Sequence, residues 1–257
     1  MTSPVSFTKE RADAPAGFFE AEAAGLAWLA SAGGVATAQV LRVAPGVIEI
    51  EHIDEVVPSS AAARRFGAQL ARTHSAGADS FGSPPEGYAG PMFIGRRPLP
   101  AADEEQWGVF YARDRILPYL EIAERVGNIS VAGASAVREA CALIASGDLD
   151  DDEPPSRLHG DLWNGNVLWS EGGVVLIDPA AHGGHRETDL AMLALFGCAH
   201  LDEILEGYER VYPLRAGWED RVALHQLHPL AVHAAGHGPG YGLALQRAAE
   251  QMLASEE

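Results

Sequence analysis

An aspartate, an asparagine and a second aspartate stand in this chain at spacings suited to converge on one site. Asp161 and Asn166 lie within Leu158-His159-Gly160-Asp161-Leu162-Trp163-Asn164-Gly165-Asn166, and Asp178 closes the apolar run Val174 to Ile177. Together they meet the demands of phosphoryl transfer: one carboxylate accepts the proton of an attacking hydroxyl, while an amide oxygen and a second carboxylate hold magnesium against the phosphates of ATP. In that order Asp161 is the base, and Asn166 and Asp178 are the metal ligands. A His-Gly-Asp tripeptide alone more often marks a turn. Two further polar residues at fixed spacing, a strand ahead of Asp178 and apolar flanks on both sides favour the catalytic assignment. His159 is expected to orient the loop rather than to transfer a proton. For Trp163, between base and metal ligand, two placements stay open: packed under the loop, or forming a wall of the acceptor pocket.

The step of five residues from Asp161 to Asn166 is that of a protein-kinase catalytic loop. Such a site needs a lysine on a strand to contact the phosphates and a glutamate from the next helix to hold it. Lys9 is the candidate lysine, although a lysine near a terminus is by default solvated. Of the two nearby acids, Glu22 shares a helical face with Phe18, Gly25, Leu26 and Leu29, whereas Glu20 lies about 200° around the helix. A carboxylate in an inward apolar stripe wants a cation, so Lys9 is paired with Glu22.

The elements that must position these groups follow from the pattern. Val5 to Lys9 alternates as a strand, and Ala14-Pro15 leads into a helix reaching about Ala30. Extended stretches are expected over Val35 to Val43 and Val47 to Ile53 around the Pro45-Gly46 turn. From Ser59-Ser60, plausible caps for a helix over Ala61 to His74, the chain becomes helical, which puts a boundary near Val57-Pro58 and divides it into a small unit, 1–57, and a large one, 58–257. Gly77 to Pro100 is too long for an ordinary connection and is expected to be functional or mobile, bordering the cleft. Helices are expected over Glu105 to Arg125 and Ser135 to Ser146, then near Glu187 to Phe196, Leu201 to Val211, Trp218 to Leu227 and Gly242 to Leu253.

At 257 residues and a formal net charge of −18, the chain can bury a sizeable core and should repel nucleic acid and anionic membranes. No apolar run reaches the roughly 20 residues of a membrane helix, and Met1 to Glu10 lacks a basic segment followed by an apolar one, so a cytoplasmic location is expected. Cys141 and Cys198 read as small buried hydrophobes, with no disulfide framework or zinc knuckle. The acidic run Asp148 to Glu153 reads as a solvated loop. The histidines His225, His228, His233 and His237 read as packing and capping groups rather than a metal site, with Pro229 expected to interrupt the helix between them.

Over nearly its whole length the sequence resembles the fructosamine kinase family, the ketosamine 3-kinases of the aminoglycoside phosphotransferase-like, protein-kinase-like fold. The resemblance rests on His159 to Asn166, on Ile177-Asp178-Pro179-Ala180, and on Gly184-His185-Arg186-Glu187-Thr188-Asp189-Leu190-Ala191-Met192. It implies an α+β, two-lobed fold with a small sheet lobe and a large, mainly helical lobe. It also implies a monomeric enzyme that uses ATP and Mg2+ to phosphorylate the 3-hydroxyl of a ketosamine, free or protein-bound, as a deglycation step. By the same match Lys9 and Glu22 serve the phosphates, and Glu51 and Ile53, in the hinge Glu49 to Ile53, lie beside adenine. Trp163 and His185 would face the acceptor, and His159 and Asp189 would brace the loop. The family carries a glycine-rich turn ahead of the strand lysine, whereas eight residues without glycine precede Lys9. The sheet lobe is therefore expected to be truncated, through a start lying upstream or through weaker cover of the nucleotide. Alternatives are a kinase of another small alcohol, such as an aminoglycoside or choline, and a non-catalytic pseudokinase.

Overall fold

The computed structural model describes residues 5–255 of the chain; Met1 to Pro4, part of the segment expected to lack a leader, lie outside the described residues. The alternating opening forms β1 (Ser6–Glu10), antiparallel to β4 (Val47–Glu51), whose far edge takes β3 (Val40–Ala44), giving the order β1-β4-β3. Lys9 sits opposite Ile48 in the register. Helix α1 (Phe18–Ser31) lays Phe19 and Leu26 on the sheet residues Ile48 and Ile50, burying the stripe that the periodicity marked.

The stretch expected to run extended from Val35 to Val43 is divided. Ala36–Thr37, β2, leaves the small sheet and pairs in parallel with β9 (Gly173–Leu176), which also pairs with β8 (Val167–Ser170). The cause lies in helix α2 (Ser60–Ser75): Thr73 Oγ1 accepts from Val35 N at 3.0 Å, drawing the chain off the sheet. The strand carrying Asp178 at its exit is thereby stitched to the end of α1. The Ser59 hydroxyl caps α2 by accepting from Ala62 N, as expected.

The Gly/Pro-rich stretch contains a hairpin, β5 (Met92–Ile94) with β6 (Arg97–Leu99), whose tip is Gly95-Arg96. The long helix expected next is continuous from α3 (Trp107–Phe110) to α4 (Leu117–Arg125), but Tyr111–Ile116 is wound as a wider π-helix. Pro118 can offer no N–H to Asp114 O, and Arg115 Nη1 donates to that carbonyl instead at 3.1 Å. Helices α5 (Val131–Ala145), α8 (Trp218–Ala234) and α9 (Pro239–Ser255) close the main core with α4, around Ile116, Leu120, Val137, Ile144, Leu227 and Leu245.

Two expectations are corrected here. Pro229 does not interrupt its helix, because α8 runs through it to Ala234. The carbonyl that Pro229 deprives of a donor, His225 O, receives the buried Tyr111 hydroxyl at 2.8 Å, and the same hydroxyl accepts from His228 N at 3.2 Å. Nor is the acidic run merely solvated. Asp150 Oδ1 accepts from Gly108 N at the start of α3, and Glu153 takes Arg186 through two bonds, with Arg215 and the Tyr212 hydroxyl also donating to it. These acids anchor the approach to β7 (Ser156–Leu158), which pairs with β10 (His182–Gly184) on either side of the segment that holds Asp161, Asn166 and Asp178. Cys141 is buried and Cys198 half-buried, both unbridged. No helix of the described residues is long and apolar enough to cross a membrane.

Candidate active site

Lys9, Glu22, Asp161, Trp163, Asn166 and Asp178 line one cleft of about 410 Å³ between the small sheet and the helical body. The first two are joined by a 2.7 Å bond from Lys9 Nζ to Glu22 Oε1, and Lys9 also pairs with Asp178. Burial works against the ammonium, but the two carboxylates outweigh it and hold the Lys9 pKa above its ordinary value. α1 thus contributes an anion, β1 a cation, and the exit of β9 a second anion.

The segment from His159 to Asn166 is fixed largely through its main chain. Asp189, in the first turn of α6 (Arg186–Phe196), is buried and accepts from His159 N at 2.7 Å and Gly160 N at 3.0 Å. His74 of α2 lies 3.2 Å from the same carboxylate and 2.8 Å from the Tyr208 hydroxyl of α7 (Leu201–Glu209). Gly160 has φ +79°, and a Cβ there would lie 2.2 Å from Ala180 O, so only glycine makes this bend. His159 Nε2 donates to Ile177 O at 2.9 Å while Nδ1 accepts from Asp161 N, which fixes the neutral tautomer. Burial lowers its pKa in the same sense. His159 therefore ties Asp161 to the strand that ends at Asp178.

Asn166 turns its amide nitrogen on Asp161, donating to its O at 2.8 Å and its Oδ2 at 3.3 Å. None of these bonds uses Asn166 Oδ1. That oxygen and the Asp178 carboxylate, 43% exposed in the cleft, are hard donors of the type magnesium takes. Burial lifts the Asp161 carboxyl to about 7, with the Asn166 bond opposing and the Asp178 and Asp189 charges adding to the rise. A carboxylate so poised matches the task of accepting a hydroxyl proton near neutrality.

Trp163 both packs within the loop and faces the cleft. It is 42% exposed on the cleft wall, with its ring 6.4 Å from Phe196, and it covers Gly165, where a Cβ would come 2.3 Å from the indole. His185 is a correction: expected against the acceptor, it caps α6 instead. Only 2% exposed, its ring lies 4.5 Å from that of His225 and 3.2 Å from Asp151, and it does not line the cleft. Glu51 and Ile53 lie at and beyond the end of β4, outside the lining of the cleft; Glu51 accepts from Gln39 N at 2.9 Å.

His185, Glu187 and His225 bring possible ligand atoms within 4.8 Å of one another. Those atoms are already engaged: Glu187 is bonded twice by Arg221, whose guanidinium would repel a dication, and His225 Nδ1 meets the Thr188 hydroxyl at 3.0 Å. His228 and His233 serve packing, with Nδ1 bonded to Arg115 O and Pro229 O respectively. The sequence pattern did not single out Arg11, Phe93 or Arg96, which also line the cleft. Arg11 could have been found, since it stands two residues beyond Lys9 and so projects to the same side. Arg96, at a hairpin tip in a Gly/Pro-rich stretch, carried no such signal.

The profile of the fructosamine kinase family matches residues 3–255. The chain is 32% identical over 242 residues to the probable ketoamine kinase of Enterococcus faecium, spanning 92% of this chain and 83% of that one. Among solved structures, a candidate fructosamine-3-kinase from Thermobifida fusca superposes with a TM-score of 0.90 at 43% identity, covering 98% of this chain and 86% of the other. An aminoglycoside phosphotransferase, 15% identical with a TM-score of 0.57 over 94% of this chain and 83% of that one, shares the protein-kinase-like fold.

Proposed function

The chain belongs to the fructosamine kinase family, and on that premise we propose that this phosphotransferase moves the terminal phosphoryl group of ATP to the 3-hydroxyl of a ketosamine, a fructosamine or ribulosamine adduct. The phosphorylated adduct then decomposes, which makes the reaction a deglycation step. The observation that carries this is the convergence of Asp161, Asn166, Asp178 and Lys9 on one cleft.

Asp161 orients the acceptor hydroxyl and takes its proton as the new O–P bond forms and the bond to the leaving ADP oxygen breaks. Asn166 Oδ1 and the Asp178 carboxylate would hold magnesium, which supplies charge neutralisation for the phosphates. Lys9, steered by Glu22, contributes a further positive charge to the phosphates, and Asp189 keeps the loop in place through His159 N and Gly160 N. The Trp163 face offers an apolar wall for the sugar. In this scheme residues 1–57 form the nucleotide-side lobe, with Glu51 and Ile53 at its hinge toward adenine, and residues 58–257 form the catalytic lobe.

The test is phosphate transfer from ATP to fructosyl- and ribulosyl-amines, with calorimetric titration of ATP and magnesium alongside. Asp161→Asn should abolish transfer while leaving magnesium–ATP binding measurable. Full transfer in that variant, or transfer only to choline or an aminoglycoside, would overturn the assignment.

A further inference from the structure

The body of the molecule encloses a cation that phosphoryl transfer as described does not use. Arg115, on the π-helical turn Tyr111–Ile116, is fully buried with its guanidinium 4.5 Å over the Phe110 ring, and it forms no ion pair with a carboxylate among the described residues. Its partners are neutral: Nη1 donates to Pro100 O at 2.8 Å and Asp114 O at 3.1 Å, and Nε donates to His182 Nε2 at 3.2 Å. Burial lowers its pKa to about 10, which leaves it charged at neutral pH. An enclosed guanidinium without an anion works against stability, so stability does not account for it. His182 passes the contact on. Because Nε2 accepts from Arg115, Nδ1 carries the proton and donates to Ala180 O at 2.7 Å. Burial first, and then the charge of Arg115, push the His182 pKa well below its ordinary value, so the ring stays neutral in this tautomer.

Ala180 stands two residues beyond Asp178 and lines the cleft with it. Asp178 has φ +54°, in the left-handed region that a residue with a side chain enters only at a cost. Such a backbone persists where its surroundings over-determine it, and the turn from Asp178 to Ala181 is gripped from three directions. On the α1 side, Gly25 comes so near that a Cβ would lie 3.1 Å from the side chains of Pro179 and Ala181. On the loop side, Gly160 rests against Ala180 O. From the buried core, His182 holds that same carbonyl, with Arg115 behind it. We infer that Arg115 and His182 are positioning residues, a two-link strut from the π-helical turn that holds the Asp178 carboxylate where it meets the magnesium of the nucleotide. This rests on the assignment of Asp178 as a metal ligand in the function proposed above.

The readout is manganese binding to the protein in the presence of ADP, followed by electron paramagnetic resonance, which needs neither acceptor nor turnover. His182→Gln offers an oxygen to Arg115 in the place of Nε2 but no donor at the Nδ1 position, and Arg115→Met keeps the length of the side chain without its guanidinium. Each should weaken manganese binding by roughly 10- to 100-fold, the range for losing a group that orients a metal ligand. The double variant should lose no more than the larger single loss, because both changes break one chain of contacts. Ser130→Ala, which removes the hydroxyl that caps α5 by accepting from Gly133 N at 2.9 Å, destabilises the fold outside the cleft and should leave manganese binding within about twofold. Wild-type affinity in His182→Gln overturns the strut, and that variant decides alone if Arg115→Met does not fold. Losses that multiply in the double variant, or an equal loss in Ser130→Ala, overturn it as well. Failure of the wild-type protein to bind manganese with ADP, or undiminished binding in Asp178→Asn, would instead refute the metal assignment on which the strut rests.

Discussion

Removing the hydroxyl of Tyr111 should cost the fold about 1–3 kcal/mol, and the loss should depend on a proline four residues away from the carbonyl it serves. In the structure this hydroxyl donates to His225 O at 2.8 Å and accepts from His228 N at 3.2 Å, all in the buried body of the molecule. Tyr111→Phe keeps the ring against Trp107, 4.9 Å away, but leaves His225 O without the donor that Pro229 cannot supply. An unsatisfied buried carbonyl costs about 1–3 kcal/mol. His225 O depends on Tyr111 only because residue 229 is proline. Pro229→Ala restores an N–H that the helix can direct to His225 O, so Tyr111→Phe should be cheaper in that background by about 1 kcal/mol or more. The measurement is a double-mutant cycle from urea unfolding midpoints and slopes of the four proteins. If the two substitutions are additive within about 0.5 kcal/mol, the hydroxyl does not stand in for the proline's missing donor.

Glu22→Gln should weaken the hold on Lys9 and lower kcat/KM for ATP by roughly 10- to 100-fold, read by steady-state kinetics at varied ATP; an unchanged value would remove Glu22 from the site. Gly160→Ala should destabilise the protein by more than about 2 kcal/mol in chemical denaturation, because the bend has φ +79° and the added Cβ meets Ala180 O. Burial pushes the Glu187 carboxyl up, but His225 and Arg221 overcome it and hold it near 2, against 4.5 unperturbed. The folded-state pKa is depressed, so the stabilisation, roughly 3 kcal/mol, is present above about pH 4.5 and is lost as pH falls toward 2. Glu187→Gln should flatten the acid limb of a stability–pH curve between those limits, and an unaltered limb would contradict the pairing.

What could be read from the chain and what could not divides along local and non-local physics. Glu22 was separable from Glu20 because helical periodicity is a local property, and the structure places Glu22 on Lys9 across the β1–α1 turn. The Asp161, Asn166 and Asp178 spacing likewise sits in one loop and one strand exit. Pro229 misled because the donor that rescues its helix comes from Tyr111, more than a hundred residues earlier. His185 lies in the same run as Asp189, yet the ring points into Trp107 and His225, a direction set by α8 and α3 rather than by its neighbours. The acids of 148–153 looked solvated until Arg186 and Arg215 were brought to Glu153 by folding. Arg96 reaches the cleft only through a hairpin that no alternation announces.

Lys9 touches two carboxylates at once, Glu22 and Asp178, and only one of them is a candidate for the metal. A dication that arrives alone must therefore take Asp178 from an ammonium already neutralising it, and meets that ammonium's repulsion as it does so. Phosphate oxygens offer the lysine a different counter-charge and so release the carboxylate. The contact sets an order of events: magnesium by itself should bind feebly, nucleotide and metal should strengthen one another's binding, and the coupling between them should shrink when residue 9 carries no charge.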